Sequence, residues 1–368
     1  MTMQQAPIEG LTAPAIQMFR RKLMHWYRAN ARDLPWRGIR DPYRTWVSEV
    51  MLQQTRVAAV IDHYERFLRM FPTAFALALA PEAEVLACWS GLGYYRRARM
   101  LHKAARFLVA ERNGVIPETS TGLRTLPGVG EYTSAAIASI AFGESIAVVD
   151  GNVERVLLRV TGHGEDDSVA GRNFVRQQAA ALVPNRRLSK DTNAAGDHNQ
   201  AMMELGATVC TPKAPLCILC PVHDLCHTRG EHVTAPRGVQ KSQSVAYLLT
   251  TRKRGITTEV LLERRDLRAS LMAGMLELPP LPMAAVAARE PLLRLRHAIT
   301  NTNYYVEIYG QAGSRDRALR KAVATSRDAL IWQPVPKLHT LPLTGLARKA
   351  LMRLDLMSVA GPETPRKL

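Results

Sequence analysis

Four of the chain's five cysteines crowd into one short stretch: Cys210, Cys217, Cys220 and Cys226 follow one another with six, two and five residues between them. Thiols this close together in a long chain are better explained as ligands of one metal centre than as a disulfide framework. A four-cysteine zinc site is usually built from two separated Cys-x-x-Cys knuckles, and only one such pair occurs here. Cys220 is followed by Pro221, in the manner of cluster ligands. The spacing favours an iron–sulphur cluster, with structural zinc as the alternative. Cys88, beside Trp89 on an apolar helix face, reads as a core thiol.

Upstream of the cysteines the pattern is helical from Pro14 to about Cys226. Ile16, Phe19, Leu23, Trp26 and Tyr27 recur at three-to-four spacing, as do Trp46, Val50, Val57 and Ile61. Pro and Gly punctuate the run, which suits many short helices. Thr228 to Gln243 is polar, lacks an apolar face and reads as a linker. Beyond it, Val245–Thr251, Glu259–Glu263 and Tyr304–Tyr309 read as strands. The expected domains are 1–228 (helical, with the cysteine loop at 210–226), a linker at 229–243, a mixed α and β domain at 244–349, and a tail at 350–368.

Charge narrows the partner. The formal net charge is +17, and a polyanion gains most from such a surplus, so nucleic acid leads over an anionic membrane surface. No stretch approaches a membrane span, and the N-terminus lacks a basic region followed by an apolar run. A cytoplasmic bacterial protein associated with the nucleoid is the expectation. No periodic face points to an oligomer, so a monomer is expected.

Leu126-Pro127-Gly128-Val129-Gly130 precedes a small-residue helix. Glycines there allow close backbone approach, and the N–H groups of Gly128, Val129 and Gly130 can hold a phosphate. No strand precedes the motif, so a helix-hairpin-helix gripping a DNA backbone fits better than a dinucleotide fold; an ordinary interhelical turn is the plainer reading. Asp150 ends the apolar run Ala147-Val148-Val149 and by itself is most simply a helix N-cap. Glu49 lies on an early helix between Trp46 and Leu52, in a setting that would keep a proton on it, although a solvated glutamate is commoner. Paired carboxylates in unlike surroundings are what glycosidic chemistry asks for.

Several of these motifs together resemble one family. Ser48 to Thr55 (SEVMLQQT), Gly91 to Tyr95 (GLGYY), Leu126 to Gly130, Val149 to Val153 (VDGNV) and the cysteine cluster are similar, in order, to the MutY adenine DNA glycosylases of the helix-hairpin-helix superfamily. The resemblance implies a mainly α helix-hairpin-helix glycosylase domain with an iron–sulphur loop holding one 4Fe-4S cluster, and a smaller α+β NUDIX-like C-terminal domain. It implies an enzyme that flips adenine out of duplex DNA opposite 8-oxoguanine or guanine and hydrolyses its N-glycosidic bond. Glu49 would protonate the base and help position water, Asp150 would stabilise the sugar cation, and Tyr132 and Asn152 would support them. Arg32, Trp36, Leu52, Val57 and Glu204 match positions lining the adenine pocket. Gln54, Thr55, Leu92 and Tyr94 match those that probe the opposite strand. For Trp36 and Tyr94, core packing is the plainer alternative.

Two departures matter. Endonuclease III-like relatives carry a lysine nucleophile two residues after the hairpin; here that residue is Tyr132, and no lysine occurs between Lys103 and Lys190. Without that amine a monofunctional glycosylase is expected. In the C-terminal domain, Leu271 to Pro279 resembles a NUDIX-like loop without the acidic box that would hold magnesium. Arg296 to Asn301 stands where the family has a Phe-Ser-His loop, so His297, Thr300 and Asn301 are candidates for contact with the mispair. Ile299 and Asn301 replacing the aromatic and the histidine imply a weaker preference for 8-oxoguanine over guanine. The competing readings are a thymine-mismatch glycosylase of the same superfamily and a non-catalytic iron–sulphur DNA-binding protein.

Overall fold

A computed structural model describes residues 10–185, 193–232, 240–299, 301–310 and 329–358. The chain packs as two compact units. One joins Met1–Ala78 with Lys103–Pro236, and the other joins Leu79–His102 with Arg237–Leu368.

The first unit is helical. Its elements are α1 (Ala13–Asn30), α2 (Pro42–Leu52), α3 (Val57–Met70), α4 (Ala74–Leu79), α6 (Arg96–Arg112, entered from the second unit), α7 (Ser120–Leu123), α8 (Glu131–Phe142), α9 (Gly151–Thr161), α10 (Val169–Leu182) and α11 (Ala194–Thr208). α9 is strongly two-faced. Its apolar side, Val153, Val156, Leu157 and Val160, is buried with Phe19 and Leu23 of α1 and Leu205 of α11. Asp150 caps its start and left-handed Gly162 its end. α11 passes so close to α9 that a Cβ at Gly206 would lie 2.6 Å from the Cβ of Asn152. α8 buries mostly small residues, Thr133, Ser134, Ala135, Ala136, Ala138 and Ser139, beside Ile137 and Ile140, which lets α2 and α11 approach it closely.

The second unit carries two sheets. In one the strand order is β5 (Pro280–Leu281), β1 (Lys241–Leu249), β7 (Thr302–Gly310), β6 (Leu293–Ile299), with β1 parallel to β7 from Lys241↔Thr302 to Leu249↔Gly310. In the other, β3 (Thr257–Arg264) pairs with β2 (Thr251–Arg254), β4 (Leu276–Glu277) and β8 (Leu330–Pro334). α12 (Gly345–Arg353) buries Leu346, Ala350 and Leu351 in the core that Val260, Leu262 and Val306 supply. α5 (Glu82–Trp89) also belongs to this unit.

Several boundaries differ from those expected. Residues 79–102 cluster with the sheets rather than with the helical part. β1 begins at Lys241, inside the expected linker, because its exposed first residues already pair in register with Thr302 to Tyr305 of β7. α12 runs past residue 349, because the apolar Ala350 and Leu351 complete its buried face. Among the described residues no helix is long and apolar enough to cross a membrane.

Candidate active site and cysteine centre

Glu49 projects from α2, whose start is fixed by Pro42 and by Asp41, which accepts the Arg44 N–H. The helix is buried along most of its length, and Glu49 is only 5 % exposed. The Tyr132 hydroxyl, from the first turn of α8, donates to Glu49 Oε2 at 2.7 Å and lies 3.5 Å from Met203 Sδ. Burial is the main cause that pushes the Glu49 carboxyl up to about 7; the Tyr132 hydrogen bond opposes this and the negative charge of Asp150 adds to it. Burial likewise holds the Tyr132 phenol well above its usual value, reinforced by the Glu49 charge. Gln53, just past α2, donates to Thr133 at 3.0 Å and ties the same two helices together.

Asp150 stands at the α9 N-terminus. Its Oδ1 accepts from the backbone N–H groups of Asn152 and Val153 at 2.9 and 2.8 Å, and its Oδ2 from the Asn152 side-chain amide at 2.8 Å. Three N–H donors at the start of the helix fix the orientation of the carboxyl group. The N-cap reading and the functional one describe the same residue. Asn152 is held in turn by Arg155, which donates to Asn152 Oδ1 at 2.9 Å, to the Gly206 carbonyl at 2.7 Å and to the Cys210 carbonyl at 2.8 Å. One turn on, buried Arg159 donates to the carbonyls of Thr211 and Pro212 and approaches Cys210 Sγ at 3.4 Å.

Cys210, Cys217, Cys220 and Cys226 line one recess floored by Val156 and Val222. Burial pushes the thiols of Cys210 and Cys220 up, the latter to about 11, so an electropositive partner is needed for either to be a thiolate. Besides Arg159, the Arg229 backbone N–H reaches Cys226 Sγ at 3.5 Å. Such N–H groups accompany metal-bound sulphur. Among the described residues no three ligating side chains converge on a single point as one ion would require. The donor set suits a metal centre spread over a recess.

The other candidates divide. Arg32 and Glu204 meet: Arg32 Nε and Nη2 donate to the two Glu204 oxygens at 2.7 Å each. Arg37 joins them with a second ion pair to Glu204 Oε2, and its guanidinium lies 5.5 Å from the Tyr27 ring centroid. Glu204 is 1 % exposed; burial would raise its pKa, but the hydrogen bonds from Arg32 and Arg37 hold it at about 2. Trp36 is buried edge-to-face against Tyr64, so packing describes it. Leu52 and Val57 are half-buried where α2 ends and α3 begins, and between them lie Thr55 and Gln54, the latter left-handed at φ 55°. Leu92 and Tyr94 belong to the second unit, Leu92 buried and Tyr94 45 % exposed. In the hairpin, Gly128 takes φ 77°, Val129 is buried, and a Cβ at Gly130 would meet nothing within 4 Å.

His297 lies on β6, and its ring rests against the start of α12, 3.6 Å from where a Gly345 Cβ would stand. Burial and then Lys349 lower its pKa. The inward alternation that puts Leu293 and Leu295 in the core carries His297 with them. Asn301 sits in the turn between β6 and β7, its carbonyl accepting the Lys241 N–H at 3.0 Å; Thr300 lies outside the described residues.

Sequence reasoning missed Arg37, Arg155, Arg159 and Met203. Arg155 and Arg159 had a signal, two basic residues four apart on one short helix, whereas Arg37 had none. Met203 had none, since a methionine in an apolar helix is ordinarily core.

A family model described as HhH-GPD superfamily base excision DNA repair protein matches residues 47–179. The chain is 49% identical over 223 residues to the adenine DNA glycosylase of Homo sapiens, an alignment that takes in 58% of this chain and 40% of that protein. It is 41% identical over 243 residues to the adenine DNA glycosylase of Mycolicibacterium smegmatis, which covers 65% of this chain and 79% of that relative. Among solved structures, a thermostable thymine-DNA glycosylase superposes with a TM-score of 0.53 at 28% identity, covering 59% of this chain and 97% of the other. A trapped endonuclease III–DNA covalent intermediate does so at 0.50 and 26% identity, covering 60% and 97%. The chain spans about two fifths of the length of the mammalian relatives it matches.

The geometry around Glu49 has a direct test. Tyr132→Phe removes the donor that favours the ionised carboxylate, so the Glu49 titration midpoint should rise further above about 7. Carboxyl-carbon NMR of 13C-glutamate-labelled protein, assigned by difference from Glu49→Gln, reads it. An unchanged or lower midpoint would contradict the assignment.

Proposed function

Because the chain belongs to the adenine DNA glycosylase family, which shares the HhH-GPD superfamily description, we propose that it is a monofunctional adenine DNA glycosylase acting on adenine opposite 8-oxoguanine or guanine in duplex DNA. The observation that carries this reading is Glu49: a buried carboxylic acid, poised near 7 and hydrogen-bonded by a tyrosine that stands where lyase relatives have a lysine.

In the reaction proposed, a flipped adenine is taken up beside Glu49, with Arg32 and Glu204 at positions that by resemblance border it. Flipping costs about a few kcal/mol, less at a mispair. Glu49, still partly protonated at neutral pH, gives its proton to a ring nitrogen and so makes adenine a better leaving group. As the C–N bond breaks, positive charge grows on the sugar, and anionic Asp150 stabilises it. Glu49, now ionised and still held by Tyr132, accepts a proton from the attacking water. With Tyr132 standing where lyase relatives carry the lysine, no Schiff base is expected to form there. Arg32 and Arg37 keep Glu204 charged and fixed, and either one left in place still pairs the buried carboxylate.

The four cysteines fit a 4Fe-4S cluster: four thiols around one recess, with N–H donors at hand. When bound, such a cluster supplies a rigid anchor for the 210–226 loop, which carries Lys213 toward DNA phosphates. In the C-terminal unit the NUDIX-like reading makes the β6–β7 turn, with Asn301, the element nearest the mispair. DNA is the partner proposed, the protein acting as a monomer in the cytoplasm. The likeness to a thymine-DNA glycosylase keeps a second mismatch substrate in the test.

Single-turnover cleavage of duplexes carrying A opposite 8-oxoguanine, G, C or T, or T opposite G, with alkali to reveal abasic sites, decides between them. Adenine loss opposite 8-oxoguanine, abolished in Glu49→Gln and leaving no borohydride-trapped adduct, is the expected result. Thymine release, or binding without any cleavage, would overturn the reading. Cys217→Ser should lose the visible absorption and bound iron together with most of the folded protein; iron-free, soluble, fully active protein would exclude the structural role of the cluster.

A further inference from the structure

The turn Gly91–Tyr94 is held from beneath. Three of its four residues have positive φ, Gly91 at 113°, Gly93 at 71° and Tyr94 at 48°, the last a left-handed conformation that a non-glycine residue adopts at a cost. Trp89 Nε1 donates to the Gly93 carbonyl at 3.1 Å, and Arg97 reaches the same carbonyl at 3.3 Å. The Arg97 guanidinium lies 5.5 Å from the Trp89 ring and 5.4 Å from that of Tyr94.

Both ends of this turn are fastened to one carbonyl. Ser90 Oγ, just before it, donates to the Leu343 carbonyl at 2.9 Å, and the Tyr95 hydroxyl, just after it, donates to the same oxygen at 3.1 Å. All three residues are buried. Leu343 is itself fixed to a sheet. The Leu276 N–H of β4 donates to the Pro342 carbonyl, and the Thr344 N–H donates to the Leu276 carbonyl. Residues 342 and 344 thus face β4, and in extended chain the intervening Leu343 carbonyl turns to the opposite side, where the two hydroxyls meet it. Arg99 also donates to the Ala273 carbonyl, fastening the next helical turn to the loop before β4.

We infer that Ser90 and Tyr95 are positioning residues: through the Leu343 carbonyl they mount the Gly91–Tyr94 turn on the β4 sheet. The sheet-bearing unit then contributes to mispair recognition through the turn it holds, besides any surface of its own. This rests on the reading that exposed Tyr94 probes the duplex. Two buried donors on one acceptor leave that acceptor unsatisfied when both are removed, and the strained turn loses its only fastening on either side of it to residue 343.

The test is a double-mutant cycle in the full chain. Dissociation constants are measured for a duplex with a non-cleavable adenine analogue opposite 8-oxoguanine and for a fully paired duplex. Ser90→Ala/Tyr95→Phe should weaken mispair binding about tenfold while leaving paired-duplex binding within about twofold, an effect sized by two buried hydrogen bonds. Combined with Tyr94→Ala, the pair should add almost nothing. Equal weakening toward both duplexes, full additivity with Tyr94→Ala, or no change would overturn the positioning role. If Tyr94→Ala alone leaves mispair binding intact, it is the probing reading that fails. Should the pair not fold, Tyr95→Phe alone keeps the ring and Ser90's bond, and the same selectivity is expected at about threefold; unselective weakening overturns the inference there too.

Discussion

One hydrogen bond, from the Tyr132 hydroxyl to Glu49 Oε2, sets the terms for the rest of the helical unit. A carboxyl buried among Trp46, Val50 and Met51 would hold its proton to a higher pH if nothing favoured its ion, and would be a poorer acid. A carboxyl in water would have lost its proton. The tyrosine balances the two, and bringing it there requires α8, whose buried residues are mostly small, to pack on α2, and the hairpin before α8 to turn at left-handed Gly128.

α9 is the second constraint. Its N-terminus holds Asp150 and its apolar face joins the core, while Arg155 and Arg159 reach to the start of the cysteine loop. The carboxylate and the cysteine recess are therefore two ends of one rigid element. A disturbance at Cys210 has a short polar path to Asp150 through Arg155 and Asn152, each contact under 3 Å. Close approach of α11 at Gly206 leaves Asn152 no room to shift.

Much of this was legible in the residues. Helical periodicity, the cysteine spacing, the hairpin and the two carboxylates point to the elements that carry them, because each depends on local pattern. The strands at Val245, Glu259 and Tyr304 were legible for the same reason. What local pattern could not give is which segments share a core. Residues 79–102 fell inside the expected helical domain 1–228, yet Ser90 and Tyr95 find their acceptor at Leu343, some 250 positions away. His297 drew attention by its chemistry, while the alternation of β6 turns it inward. Glu204 was placed in the pocket through resemblance, but its second partner, Arg37, emerged only once α1 and α11 were seen to converge.

The central claim is that Glu49 acts as an acid kept neutral by burial. The pH dependence of the single-turnover rate, at saturating protein on adenine opposite 8-oxoguanine, tests it most directly. The account predicts a rate that falls as pH rises through about 7, where Glu49 gives up its proton. A rate that stays flat or climbs through that range would contradict it.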